Sequence, residues 1–83
     1  MPKQSNMMKR EASFDGRKFQ DLRRRAGLSS ADVAAREVCR RGCYISAVHL
    51  ARIEAGHVPH VTTDILLALA SLVGVQASDL LRS

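Results

Sequence analysis

The sequence has few aromatic residues and no long hydrophobic run. Tryptophan is absent, and the 83 residues include only one tyrosine and two phenylalanines. A β-sandwich normally draws on more aromatic and β-branched residues than this, so the composition favours an all-α fold. The longest apolar stretch, ILLALASLVGV at residues 65–75, is eleven residues long. That length is too short to span a bilayer and is typical of a buried helix.

Cysteine is also scarce, and the N-terminal segment lacks the apolar core of a secretory signal. The two cysteines, Cys39 and Cys43, are therefore expected to be reduced thiols in a cytoplasmic protein. We favour buried or inert thiols over two alternatives. A zinc site shared with His49, His57 or His60 is disfavoured because the spacing matches no common zinc module, and a redox switch because a disulfide across an intact helical turn would need local distortion. We expect no metal and no cofactor.

The chain shows no arrangement of residues typical of catalysis. We find no paired carboxylates, no glycine-rich phosphate loop and no Ser-His-Asp set that so small a domain could shelter from water. The sequence therefore predicts a binding protein rather than an enzyme.

Positive charge is concentrated in one part of the chain, which has a net charge of +5. Residues 1–56 hold twelve Lys and Arg against six Asp and Glu, whereas residues 57–83 hold one against two. A basic part of this kind indicates an anionic partner such as nucleic acid, although a solubilising surface charge explains it equally well. We interpret the polar, aperiodic residues 1–12 as a flexible basic arm, either a disordered tail or a DNA-touching segment, before one domain at residues 13–83.

Hydrophobic spacing and turn residues predict five short helices. We expect Gly27, Gly42 and Gly74 to end the first, second and fourth of them. Ser29 is predicted to start the second helix through a capping-box pattern with Asp32, and the fourth helix, the most apolar, is predicted to be the central core element. The predicted helices cover, in order, about residues 15–26, 29–41, 46–55, 62–74 and 78–81.

This order of elements resembles the phage repressor and Cro type of helix-turn-helix domain, the Xre family. FQDLRRRAGLSSADVA at residues 19–34 looks like the first two helices of that family, ISAVHLARIEAG at 45–56 like the third, and ILLALASLVGVQASDLL at 65–81 like the closing helices. The resemblance implies a compact five-helix, lambda-repressor-like DNA-binding domain. Its main departure is the join between helices two and three, VCRRGCYI, which is about six residues longer than is usual in the family.

In such domains the third helix lies in the DNA major groove, with its N-terminal residues at the base edges. Arg52 is then expected to pair with guanine, while alanine and valine side chains contact thymine methyl groups. Serines and backbone amides at helix starts are expected to hold phosphates, although a merely solvated helix face is the alternative. The DNA-binding residues that the resemblance implies are Ser29, Ser30, Arg40, Arg41, Tyr44, Ser46, Ala47, Val48, His49 and Arg52.

The resemblance also implies an internal ion pair. In the family, the arginine of a Leu-Arg pair in the first helix often binds the glutamate that precedes the closing glycine of the third helix. The matching residues here are Arg23 and Glu54, which we expect to pair and to have a structural role.

The function implied is that of a bacterial or phage transcriptional regulator that binds specific double-stranded DNA, most simply as a repressor. The alternative is an antitoxin-type protein-interaction module, which would bind a protein partner and also control its own operon. A third possibility is a non-specific architectural DNA-binding protein. Because one small domain reads only a few base pairs, we expect a homodimer on an inverted repeat. Its candidate interface residues are Val75, Leu80 and Leu81. Leu80 and Leu81 are adjacent, so on a helix their side chains would point about 100° apart, with one in the core and the other towards a partner.

Overall fold

The computed structural model describes residues 13–82. Within this range the chain forms four α-helices, one 3-10 turn and two very short strands. The elements are β1 (Ser13–Phe14), α1 (Gly16–Arg25), α2 (Ala31–Arg40), α3 (Ala47–Glu54), α4 (Thr63–Val73), the 3-10 turn (Ala77–Leu80) and β2 (Leu81–Arg82). The predicted helical character is confirmed, while our interpretation of residues 1–12 as an arm lies outside the described residues.

The predicted fifth helix is wrong. Residues Ala77–Leu80 form only a 3-10 turn, and Leu81 already belongs to β2. β2 pairs in antiparallel fashion with β1, with Ser13 opposite Arg82 and Phe14 opposite Leu81. Because the backbone at Leu81 enters this strand pair, a helix cannot continue through it.

Four side chains cap the starts of the four α-helices, each by accepting a hydrogen bond from the amide three residues further on; they are Asp15, Ser30, Ser46 and Thr62. The predicted start at Ser29 is therefore displaced by one residue. Ser30 has the extended backbone of an N-cap, and its hydroxyl accepts a bond from the Val33 amide at 3.2 Å. Asp32 pairs with Arg36 instead of closing a capping box.

The end of α2 explains how the long join is accommodated. Gly42 has a φ of 95°, and the amides of Gly42 and Cys43 donate to the carbonyls of Cys39 and Val38. This pair of bonds is a Schellman motif, which a residue with a Cβ adopts only under strain. The additional residues of the join are therefore divided between a compact turn and the short non-helical segment at 43–46 that leads into α3.

The core is formed by residues from every helix. Its largest fully buried side chains are Phe19, Val38, Leu50, Ile53, Leu69 and Leu80. The prediction that the most apolar helix, α4, is the central core element is wrong. Only Leu69 and Ala70 of α4 are buried, and Leu67 is 55% exposed, because α4 packs against the rest of the domain along one side.

Candidate nucleic-acid interface

The two faces of α3 differ sharply in burial. Leu50 and Ile53 are completely buried, whereas Val48 is 70% exposed and Ala51 and Arg52 are exposed. Residues three and four positions apart share a helix face, so these three exposed side chains form one outward patch. We call Val48, Ala51 and Arg52 the outer face of α3.

The remaining predicted contacts at the start of α3 are less exposed. Ser46 is exposed, and its hydroxyl accepts a hydrogen bond from the His49 amide at 3.1 Å. His49 is half-buried, and Ala47 is half-buried with its side chain packed against the core. The structure thus places Ala47 mainly in a packing position. The Ser46 hydroxyl proton stays available as a donor, because the cap uses only the oxygen as an acceptor.

A buried ion pair holds the opposite end of α3. Arg23 Nε lies 2.8 Å from Glu54 Oε2, and Arg23 Nη2 donates to Glu54 Oε1 at 3.0 Å. Arg23 is 3% exposed and Glu54 9% exposed. The two parallel contacts have the bidentate geometry that makes arginine–carboxylate pairs strong.

This ion pair belongs to a larger network, part of which sequence reasoning missed. Arg23 Nη1 donates to the carbonyl of Leu28 at 2.7 Å, and Gln20 Nε2 lies 3.4 Å from Glu54 Oε1. The network therefore links α1, the segment before α2, and the end of α3. The sequence signal for Gln20 was its position three residues before Arg23, on the same face of α1.

A close backbone contact reinforces the position of α3. A Cβ at Gly16 would lie 2.7 Å from the carbonyl oxygen of Glu54 and would also overlap the carbonyl oxygen of Ile53. The first residue of α1 therefore touches the last turn of α3 directly. Sequence reasoning did not identify this role, because a glycine that permits close approach looks the same as one that permits a turn.

The predicted phosphate-binding arginines have partners within the protein. Arg40 pairs with Glu37 at 3.1 Å, and Arg41 donates to the Ser71 hydroxyl at 3.3 Å. Both arginines are exposed. An exposed ion pair such as Arg40–Glu37 contributes only about 0–1 kcal/mol, and the Ser71 hydroxyl is an uncharged partner of Arg41, so a phosphate can replace both partners. Among residues 13–82, no carboxylate lies within ion-pair distance of Arg52.

The segment after α2 carries an exposed aromatic side chain. Tyr44 is 82% exposed and lies two residues before the α3 cap. The segment is attached to α4, since Arg41 binds Ser71 and Cys43 Sγ lies 3.9 Å from the carbonyl of Asp64. At the start of α2, Ser29 is exposed and Ser30 is half-buried under its capping bond.

The two thiols contact different elements. Cys39 Sγ lies 3.5 Å from the carbonyl oxygen of Ile45, away from the Cys43 contact on α4. Both cysteines are free. Within residues 13–82, no group of three or more His, Cys, Asp and Glu side chains is close enough to hold a metal ion.

The candidate dimer residues divide between core and surface. Leu80 is completely buried, so it is a core residue and not an interface residue in the folded domain. Val75 and Leu81 are half-buried. The expectation of two leucines 100° apart on a helix does not apply, because Leu81 lies in β2 and its direction is set by strand geometry.

Comparison with known protein families identifies the class of protein. The family model of the helix-turn-helix domain matches residues 16–82. The chain therefore belongs to the helix-turn-helix domain family, which is a DNA-binding class, and the match supports the resemblance to Xre-type domains. The comparisons with curated proteins and with solved structures found no significant match. Within residues 13–82, none of the helices has the length and apolar character that crossing a membrane requires.

Proposed function

We propose that this protein is a sequence-specific transcriptional regulator that binds double-stranded DNA and represses transcription by occupying a promoter. It acts in the cytoplasm as a binding protein without enzymatic activity. The observation that carries the proposal is the outer face of α3, where Val48, Ala51 and Arg52 are exposed. The opposite face of the same helix is buried in the core. In helix-turn-helix proteins the second helix of the motif enters the major groove, and here that helix is α3.

The distribution of charge supports this orientation. Residues 13–56, which contain α1 to α3, hold nine Lys and Arg against five Asp and Glu, whereas residues 57–82 hold one against two. Ser29 and Ser46 lie at the starts of α2 and α3, where unsatisfied amides and the helix dipole favour a phosphate. These contacts position the domain on the duplex, while the outer face of α3 reads base edges.

The proposal includes a homodimer on an inverted repeat. One domain with three outward side chains on its reading helix covers too few base pairs for a unique site in a genome. The near-neutral C-terminal part favours self-association, because it avoids repulsion between basic surfaces. Val75 and Leu81 are the partly exposed apolar candidates for this surface.

The decisive experiment is selection of bound sequences from a random DNA pool, followed by affinity measurements on the selected site and on random DNA at several salt concentrations. We expect a site preference of at least about 10³-fold, together with a steep loss of affinity as salt is raised. Equal affinity for both DNAs would favour an architectural binder and contradict the proposal. DNA binding that requires a second protein would favour the antitoxin-type module instead.

A further inference from the structure

Val48 is an exposed apolar side chain that the fold itself does not explain. It is 70% exposed, and among residues 13–82 the only other exposed large hydrophobic residues are Tyr44 and Leu67. Valine is also a weaker helix former than the alanines beside it, because its branched side chain is restricted in a helix. Its position in the first turn of α3 therefore favours a role in recognition.

Arg52 lies one helical turn after Val48, on the same outer face. Residues at positions i and i+4 have their Cβ atoms about 6 Å apart, and helical side chains lean towards the helix N-terminus. This direction carries the Arg52 guanidinium back towards Val48. Since successive base pairs are about 3.4 Å apart, the two groups reach neighbouring base pairs.

The chemistry of the major groove then restricts what this pair can read. An arginine fork matches guanine O6 and N7, and the only apolar group exposed there is the C5-methyl group of a pyrimidine. Cytosine lacks this methyl group, whereas thymine and 5-methylcytosine carry it. Ala51, beside both residues, has no polar side-chain atom that would compete for the same base pairs.

We propose that Val48 and Arg52 together read two adjacent base pairs, a G·C pair bound by Arg52 and a pair whose pyrimidine presents a C5-methyl group to Val48. The pyrimidine read by Val48 is then thymine or 5-methylcytosine, with discrimination against unmethylated cytosine. This inference rests on the proposed function, because it requires α3 to lie in the major groove.

The test uses the selected DNA site with one base methyl group removed or added at a time. Each thymine in a base pair next to a G·C pair is replaced by deoxyuridine, which keeps every hydrogen-bonding group and loses only the methyl group. At the same position, cytosine is compared with 5-methylcytosine. Burying one methyl group corresponds to about a fourfold change in Kd, so we expect deoxyuridine to raise Kd about fourfold and 5-methylcytosine to bind about fourfold more tightly than cytosine.

Two variants assign the effect to Val48. In Val48→Ala both Kd ratios should fall towards one, because the shorter alanine side chain covers less of the methyl group than valine does. Circular dichroism checks that the helical fold is retained. Leu67→Ala is the matched control, since Leu67 is also exposed and apolar but lies on α4, and its ratios should equal those of the wild type.

Three results would overturn the inference while leaving sequence-specific binding intact: wild-type ratios near one at every thymine tested, ratios unchanged in Val48→Ala, or a selected site in which no thymine lies in a base pair next to a G·C pair. Failure to select any site would overturn the proposed function and this inference together.

Discussion

Replacing Glu54 with alanine should destabilise the domain far more than removing a carboxylate from an exposed ion pair. The substitution removes both contacts of 2.8 and 3.0 Å to Arg23. It leaves the guanidinium of Arg23, a residue that is only 3% exposed, with the Leu28 carbonyl as its remaining protein acceptor. An uncompensated buried charge of this kind costs about 3–5 kcal/mol.

That cost is large against the total stability of so small a domain. At roughly 0.05–0.15 kcal/mol per residue, a chain of this length has a free energy of unfolding of about 4–12 kcal/mol. The loss of about 3–5 kcal/mol removes at least about a quarter of this free energy, and Glu54→Ala should be unfolded at room temperature if the wild type lies at the lower end of the range. Glu54→Gln keeps an oxygen that can accept from Arg23 and loses only the charge, so it should lie between the wild type and Glu54→Ala.

The assay is urea unfolding followed by circular dichroism at 222 nm, with the free energy of unfolding extrapolated to water. Glu37→Ala is the matched control, because Glu37 is also a helical glutamate paired with an arginine, Arg40, but that arginine side chain is 76% exposed. An exposed pair contributes about 0–1 kcal/mol, so the control should lie within about 1 kcal/mol of the wild type. The reasoning is refuted if Glu54→Ala and Glu37→Ala lose equal stability.

Three further predictions concern DNA reading, packing and assembly. Arg52→Ala should weaken binding to the selected site by about 1–3 kcal/mol and relax the preference at one base pair. Arg24, an exposed arginine in the last turn of α1, adds positive charge away from the outer face of α3, so Arg24→Ala should affect selected and random DNA alike. Gel-shift titrations on both DNAs test this, and equal losses for Arg52→Ala would argue against base reading. Gly16→Ala should lower the free energy of unfolding by about 1–3 kcal/mol through overpacking, because its Cβ would lie 2.7 Å from the carbonyl oxygen of Glu54. Thermal unfolding measures this loss, and a gain in stability would show that small shifts of the backbone relieve the contact. A homodimer should protect two half-sites about 34–36 Å apart, or a multiple of that distance; footprinting with native mass spectrometry tests this, and a single protomer on one non-palindromic site at saturation would contradict it.

Most of the helices could be predicted because their capping residues and terminating glycines lie within short stretches of sequence. Ser46 and Gly56 bracket α3, and the structure places the helix between them at Ala47–Glu54. Ser29 and Ser30 show the limit of such signals, since both are good capping residues and only the backbone conformation decides between them. One residue of error at a helix end is typical when two suitable caps are adjacent.

Features that depend on distant parts of the chain could not be predicted in this way. The pairing of Phe14 with Leu81 joins segments that have no pattern of their own, because two-residue strands are too short for alternation to show. The partial burial of α4 depends on what packs against it, and its high hydrophobicity led us to overestimate that burial. At the candidate site, family resemblance named Arg23 and Glu54, but the carbonyl of Leu28 carries no side-chain signal.

The pairing of β1 with β2 brings the first and last residues of the domain next to each other. Ser13 and Arg82 lie opposite each other, so a short peptide linker would join them without disturbing the helices. A circular permutant that is opened in an exposed loop should therefore fold, provided that the loop does not hold Pro59, whose carbonyl accepts the Phe14 amide. In addition, a segment attached directly at Ser13 and one attached directly at Arg82 would leave the domain next to each other. Labels at these two residues would therefore lie on the same side of the domain.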